Sequence, residues 1–362
     1  MGRNYSKSKR RHKRRTMKRA YASGNSGWRL RKKQARRRQI LRILLGIATC
    51  ALFGAGVVVL IDSKDVLAGY ETQQYGKGIY QEGLPVDELC IVKENVQYSN
   101  YQSSEVYRNS EDFHAAAVFS INTSDTVYAE NVHEKIYPAS TTKILTAYVA
   151  IKYGELTDIV TVGENAVNVP SDSSKAWLKQ GDKLTLEDLL YALMLPSGND
   201  AAVAIAEHIS GSEEAFVELM NQEAKKMGAT HTHFVTPHGY QDEEHYTTAY
   251  DLYLIFNKCI QEETFLKVVS SYAYETEVTQ SNGSTREVIW RQSNQYVTGV
   301  QATPDGIDVV GGKTGTTDEA GACLIQYVKN NEEGAFVSMI MGAESRPVLY
   351  QNMTELLSTL AH

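Results

Sequence analysis

Along the chain the apolar positions change their spacing several times, and each change predicts a different element. Ile43 to Ile61 is nineteen consecutive residues without a charge, long enough to cross a bilayer as a helix. Asp62 to about Glu111 is rich in Tyr, Gln, Ser and Gly and keeps no period. That composition reads as a tether, and a flexible chain of this length has an r.m.s. reach of about 40 Å. Near Phe113 the pattern becomes that of a folded domain. Residues 115–120 and 126–129 are apolar runs flanking Asn122-Thr123-Ser124-Asp125, which predicts a hairpin. Thr185-Leu186-Glu187-Asp188 is a capping-box pattern opening a helix to Met194. Pro196 breaks that helix, and Ser197-Gly198-Asn199-Asp200 starts another that runs to Gly211. Ser212 caps a further helix ending at Gly228, and Asp251 to Cys259 is helical. Asn282-Gly283 is a hairpin turn with arms at 275–278 and 287–290. Three apolar runs at 309–316, 322–328 and 335–341 are spaced as an antiparallel meander, and a helix near 349–360 follows. Strands at both ends with helices between predict an α+β domain over 112–362. Its antiparallel sheet is assembled from both ends of the domain, with flanking helices and a mostly helical insertion.

One helix differs from the rest. After Tyr137-Pro138-Ala139, the stretch from Ser140 to Lys152 is apolar on nearly every side, and Gly154 ends it. A helix apolar all round is buried in a core. Ser140 is expected at or just inside its N-terminus, where unpaired N–H groups and the positive dipole end favour a nucleophile. Lys143 lies one turn later on the same face, so its amine can reach the Ser140 hydroxyl.

Charge divides the chain in two. The formal net charge is -6, yet residues 1–42 hold 18 Lys and Arg and no acid, leaving 19 basic against 43 acidic side chains in the remainder. A basic flank before the apolar span orients it with the N-terminus in the cytoplasm and the bulk of the chain outside the cell. An n-region of about forty residues, and apolarity continuing through Val57 to Ile61, argue for an uncleaved single-pass anchor over a signal peptide. Cys50 sits mid-span after Thr49, a poor context for lipidation. The basic tail cannot fold alone. It reads as a topology determinant on anionic lipid, or as a nucleic-acid arm with Tyr5, Tyr21 and Trp28 as stacking residues. A membrane-pinned tail favours lipid, so no nucleic-acid partner is expected.

Three short motifs stand in order: Ser140-Thr141-Thr142-Lys143, Ser197-Gly198-Asn199 and Lys313-Thr314-Gly315. Singly each reads as a helix cap, a turn or a strand end. Together they match the pattern of penicillin-binding proteins and class A β-lactamases. Acyl transfer needs an activated hydroxyl, a base, a proton donor for the leaving amine and donors for the oxyanion. Ser140 fits the nucleophile. Lys143 fits the base if burial and a second cation, Lys313, depress its pKa. Ser197 fits a proton relay, Asn199 an orienting amide, and Lys313 with the Thr314 and Thr316 hydroxyls a clamp for a terminal carboxylate.

At this point the chain closely resembles the D-alanyl-D-alanine carboxypeptidase family of low-molecular-mass penicillin-binding proteins. The likeness covers about residues 112–362. Besides the three motifs it includes Leu195-Pro196, Asp200-Ala201-Ala202, Thr236-Pro237-His238-Gly239, His245-Tyr246-Thr247-Thr248-Ala249 and Ala320-Gly321-Ala322-Cys323-Leu324. It implies a β-lactamase-like fold and removal of D-alanine from peptidoglycan stem peptides ending in D-Ala-D-Ala. It also implies covalent inhibition by β-lactams, no cofactor, and Gly315 and the Thr316 N–H in the substrate and oxyanion site. Thr316 stands where many members have an aromatic residue or histidine. The β-rich C-terminal domain of many members is expected to be missing, with the N-terminal anchor replacing a C-terminal one. A β-lactamase is the alternative within hydrolases, but the class A Glu-x-x-Leu-Asn signature is absent; Glu218-Leu219-Met220-Asn221 lies after the second motif and lacks the spacing. A sensor that is acylated without turnover is the alternative from another class.

His231, His233, His238 and His245 fall within fifteen residues and raise the question of zinc. The stretch lacks a His-Glu-x-x-His helix, and the reading is no metal. Cys90, Cys259 and Cys323 form no disulfide framework.

Overall fold

The computed structural model describes residues 112–361 except Ser124 and Glu333. The basic tail (1–42), apolar span (43–61) and tether (62–111) lie outside the described residues, as does Cys90. Among the described residues no helix is long and apolar enough to cross a membrane.

Strand β1 (Ala115–Ser120) turns back into β2 (Thr126–Glu130), as the apolar runs predict. These two join β7 (Ile307–Thr317), β8 (Gly321–Asn330) and β9 (Ala335–Ala343) in one antiparallel sheet of order β2-β1-β9-β8-β7. Every residue of β1 is buried, because the sheet is covered on both sides. Alternate residues of a strand face opposite ways. Ala115, Ala117 and Phe119 therefore enter the large core under the helices, while Ala116 and Val118 enter a second core. That second core is closed by α8 (Arg346–Ser358) through Leu349, Tyr350, Met353, Leu356 and Leu357. The helix begins earlier than its apolar residues suggest, since Ser345 caps it by accepting from the Val348 N–H.

The fully apolar helix is α1 (Lys143–Tyr153), buried from Lys143 through Ala150. Around it pack α3 (Leu186–Met194), α4 (Asn199–Ser210), α5 (Glu213–Lys226), α6 (Ala249–Cys259) and α7 (Glu263–Ser270), with the single turn α2 (Glu164–Val167) before them in the chain. The capping box at Thr185 and Asp188 forms as predicted. Gly211 closes α4 in the left-handed region, φ 79°.

The insertion is mostly helical, as expected, and also carries a small sheet. The hairpin β5 (Ala273–Thr279) and β6 (Thr285–Arg291) is present, but it belongs to a second antiparallel sheet of order β3-β4-β5-β6. Its other members, β3 (Ile159–Thr161) and β4 (Lys183–Thr185), are three residues each, too short to carry an alternation signal. Helix α7 also went unpredicted, although Phe265, Val268 and Val269 form its buried stripe.

Strand β7 is an edge of the five-stranded sheet, paired only with β8. Lys313 to Thr316 pair with Ile325 to Ala322 on that side. The other side packs against the 3-10 turn Ala139–Thr142 that leads into α1. An unpaired strand edge thus lies beside the first turn of a buried helix, and the motif residues meet there.

Candidate active site

Ser140 does not occupy the N-terminus of α1 itself. It sits one turn earlier, in the 3-10 segment, because Ala139 adopts φ 48° and the next two hydroxyls fold back. Thr141 Oγ1 donates to the Pro138 carbonyl at 2.6 Å and Thr142 Oγ1 to the Ala139 carbonyl at 2.8 Å. Such local bonds compete with a helical start. A non-glycine residue at positive φ costs of order 1–3 kcal/mol and persists where the surroundings over-determine it. Here Gly239 is one of those surroundings: a Cβ on it would stand 1.8 Å from the Ala139 carbonyl oxygen. Of the four residues of the motif only Ser140 is not buried.

Lys143 Nζ donates to Ser140 Oγ at 2.9 Å, to Asn199 Oδ1 at 2.8 Å and to the His238 carbonyl at 2.8 Å. Its side chain has no exposed surface. Burial drives its pKa well below that of a free lysine, the Lys313 cation pushes it further, and the Asp200 carboxylate opposes both. Lys313 is equally buried and is lowered to about 7 by burial first and by the Arg346 guanidinium second. Its Nζ donates to Ser197 Oγ at 2.9 Å and to the Thr314 carbonyl at 2.8 Å. Two hydroxyls are thus each held by a lysine whose charged form is disfavoured, an arrangement able to move a proton off one oxygen and onto another.

Ser197 is itself at φ 64°, and α4 starts two residues later. Gly198 is required there, since a Cβ would come 2.7 Å from the Ala192 carbonyl oxygen. The loop before α3 is fastened to this motif. The Asn199 N–H donates to the Ser174 carbonyl, and the Asp200 carboxylate accepts from the N–H groups of Ala176 (2.8 Å), Leu178 (3.0 Å) and Ala201 (3.0 Å). Burial raises the Asp200 pKa, against those three bonds. Asn199 has its carbonyl committed to Lys143, which leaves its amide for a substrate.

On β7 the approach to the nucleophile is tight: a Cβ on Gly315 would lie 3.0 Å from the Ser140 nitrogen, closer than most Cβ contacts. Thr314 Oγ1 is bonded to Ser293 Oγ at 2.7 Å, and Thr316 Oγ1 donates to the Gly315 carbonyl at 2.7 Å. The eight residues singled out in the sequence are thus brought together around the Ser140 turn. The site also holds Ser293, Asp200, Gly239, Arg346 and the His238 carbonyl, to which the sequence pattern gives no role. Asp200, His238 and Gly239 stand within stretches already recognised, while Ser293 and Arg346 carry no local pattern.

The histidines separate. His238 and His245 are buried behind the nucleophile turn, and burial pushes each down to about 3, so both are neutral near pH 7. His231 and His233 are exposed, and His233 Nδ1 is bonded to the Glu244 carbonyl. Among the described residues no three His, Cys, Asp or Glu side chains are grouped to hold a metal. Cys259 and Cys323 are free and buried.

The sequence pattern of the D-alanyl-D-alanine carboxypeptidase family matches residues 104–345. This chain belongs to that family. Among curated members of the D-alanyl-D-alanine carboxypeptidase family it is similar to DacF of Bacillus subtilis (31% identical over 268 residues, 72% of this chain and 65% of the relative). It is also similar to DacA of Haemophilus influenzae (35% over 231 residues, 61% and 54%). The chain thus spans less than two thirds of the length of these relatives. Among solved structures it resembles the Streptomyces K15 DD-transpeptidase, with TM-score 0.63, 28% identity and coverage of 68% of this chain and 95% of that one. Penicillin binding protein 5 of Haemophilus influenzae matches with TM-score 0.60, 30% identity and coverage of 68% and 70%. The fold is the α+β, penicillin-binding-protein-like architecture expected from the sequence.

The opposing influence of Asp200 on Lys143 yields a test with a defined sign. Asp200→Asn removes a negative charge that favours the ammonium, so Lys143 should lose its proton at lower pH. The acidic limb of the rate of acylation by a fluorescent penicillin should move to lower pH. A limb that stays in place would mean the carboxylate serves the loop alone.

Proposed function

We propose that the chain is a serine-type D,D-carboxypeptidase acting on peptidoglycan stem peptides that end in D-Ala-D-Ala, and that β-lactams acylate it. The observation that carries this reading is the 2.9 Å contact between Ser140 Oγ and a buried lysine amine whose pKa is depressed. Neutral Lys143 takes the Ser140 proton as Oγ forms a bond to the penultimate carbonyl carbon. The carbonyl oxygen becomes an oxyanion held by the N–H groups of Ser140 and Thr316. Collapse breaks the C–N bond to the terminal D-alanine, whose amine takes a proton relayed through Ser197 from Lys143 or Lys313. Water then hydrolyses the ester on Ser140. The free carboxylate of D-alanine, or of a penicillin, pairs with Lys313 and the hydroxyls of Thr314 and Thr316, and the Asn199 amide orients the acyl chain. No cofactor enters these steps.

Membrane anchoring belongs to the same proposal and rests on the sequence: the 43–61 span holds the protein in the cell membrane, the tail lies on anionic lipid in the cytoplasm, and the catalytic domain works outside. Fractionation of the full chain should place it in the membrane pellet. Recovery from the medium of protein beginning near Val57 would make the span a signal peptide.

Release of D-alanine from diacyl-Lys-D-Ala-D-Ala tests the activity directly, and Ser140→Ala should abolish both that release and penicillin labelling while leaving the fold intact. Label persisting on another residue would reassign the nucleophile. For the carboxylate clamp, loss of one partner from a desolvated ion pair costs about 2–5 kcal/mol, roughly 30-fold to several thousand-fold. Lys313→Ala should lower kcat/KM by that factor for the acid and by much less for the matching C-terminal amide. If acid and amide suffer equally and the acidic limb of the pH profile does not move to higher pH, Lys313 is neither clamp nor modulator of Lys143.

A further inference from the structure

The geometry points to a positioning role for His245, exerted through Thr142, in which the two side chains aim the Ser140 N–H at the developing oxyanion. It rests on the acyl-enzyme reading above. His245 is buried, and its Nδ1 accepts from the backbone N–H groups of Val235 (3.1 Å) and Thr236 (3.4 Å). An Nδ1 that accepts carries no proton, so the neutral ring has its hydrogen on Nε2. That Nε2–H lies 2.8 Å from Thr142 Oγ1 and donates to it. The Thr142 hydroxyl, its lone pair engaged, passes its own hydrogen to the Ala139 carbonyl at 2.8 Å. The result is a chain of bonds running one way, from the 235–236 backbone through an imidazole and a hydroxyl to one carbonyl oxygen, each link polarising the next.

That oxygen belongs to the same peptide group as the Ser140 N–H. In a trans amide C=O and N–H point to opposite sides. Drawing the Ala139 oxygen toward the 236–239 loop therefore turns the Ser140 N–H away from it, toward β7. The two sides are marked by glycines: the oxygen fills the space where a Gly239 side chain would be, and the Ser140 nitrogen lies 3.0 Å from where a Gly315 Cβ would be. The peptide is held in this orientation although Ala139 must take φ 48° to allow it. A carbonyl that accepts a strong hydrogen bond also makes its own N–H a better donor. The relay thus both aims and strengthens one of the two proposed oxyanion donors without touching the substrate.

The test uses the intact protein and a penicillin. Thr142→Val removes only the hydroxyl. Acylation should slow about 10- to 100-fold, less than the roughly 10²–10³ lost when an oxyanion donor is removed outright, while the affinity of the initial non-covalent complex stays close to that of the unaltered protein. The ester carbonyl of the penicilloyl-enzyme, read by infrared difference spectroscopy, should move to higher wavenumber as its hydrogen bond weakens. Thr142→Ser should restore both rate and band. Should Thr142→Val fail to fold, His245→Asn carries the same readouts, because its amide can accept in place of Nδ1 but is too short to reach Thr142. Unchanged acylation, or slower acylation with an unmoved ester band, overturns the relay. Failure of the unaltered protein to take the penicillin at Ser140 would instead overturn the acyl-enzyme reading.

Discussion

Two lysine side chains with no solvent contact share one cleft, and the rest of the domain is arranged so that this is tolerable. Taking an ammonium out of water costs several kcal/mol unless it is paired, and a buried amine responds by giving up its proton. Among the described residues no carboxylate forms an ion pair with Lys143 or Lys313; their partners there are hydroxyls, carbonyls and one amide oxygen. These satisfy N–H groups without fixing a charge. Burial of α1 makes this possible for Lys143, since a helix apolar on every side carries its first residue inward with it. Lys313 is brought in by the sheet, on an edge strand covered by helices on one face and by α8 on the other.

Two of the four non-glycine residues at positive φ among the described residues sit where the chemistry is proposed. Ala139 and Ser197, one before the nucleophile and the other the second hydroxyl, both take positive φ without being glycine. Each costs of order 1–3 kcal/mol. The compensating interactions are local and specific: hydroxyls returned to the carbonyls of Pro138 and Ala139, backbone N–H groups gathered by Asp200, glycines at 198 and 239 that let backbones approach where a side chain would collide, and a tight approach at Gly315. A loop held in this way behaves as part of the scaffold.

Much of this was legible in the sequence because it is encoded within a few residues. A serine and a lysine three apart on a helix face meet whatever the rest of the fold does, and a turn such as Asn282-Gly283 announces its hairpin. The four-stranded sheet was not legible, since β3 and β4 are three residues each and β4 touches β5 only at Lys183 and Thr279. Nor was the 3-10 start of the nucleophile turn. Proline and a small residue before a serine describe a helix cap equally well, and the back-bonded hydroxyls of Thr141 and Thr142 decide the matter only with the 236–239 loop in place. Ser293 and Arg346 reach the site from a connector and from the first turn of α8, and tertiary structure alone brings them near Thr314 and Lys313. The basic tail, span and tether were read from charge and apolarity, and they lie outside the described residues.

The placement of the two amines bears on how a substrate would prepare its own attack. Lys313 depresses Lys143 because two ammonium groups in one low-dielectric cleft repel each other. The pair therefore binds its first proton more readily than its second, and its titration belongs to both residues together. With Lys313 drawn down to about 7, its own charge is only partly held near neutral pH. A carboxylate beside Lys313, as in the clamp proposed above, would favour the ammonium there, while Lys143 keeps its partners Ser140, Asn199 and the His238 carbonyl. Charge reinforced on Lys313 would in turn disfavour the ammonium of Lys143, which is hydrogen-bonded to the hydroxyl it is proposed to deprotonate. On this view a terminal carboxylate would do more than anchor a peptide: it would favour the protonation state in which the proposed base is free, coupling recognition to activation electrostatically.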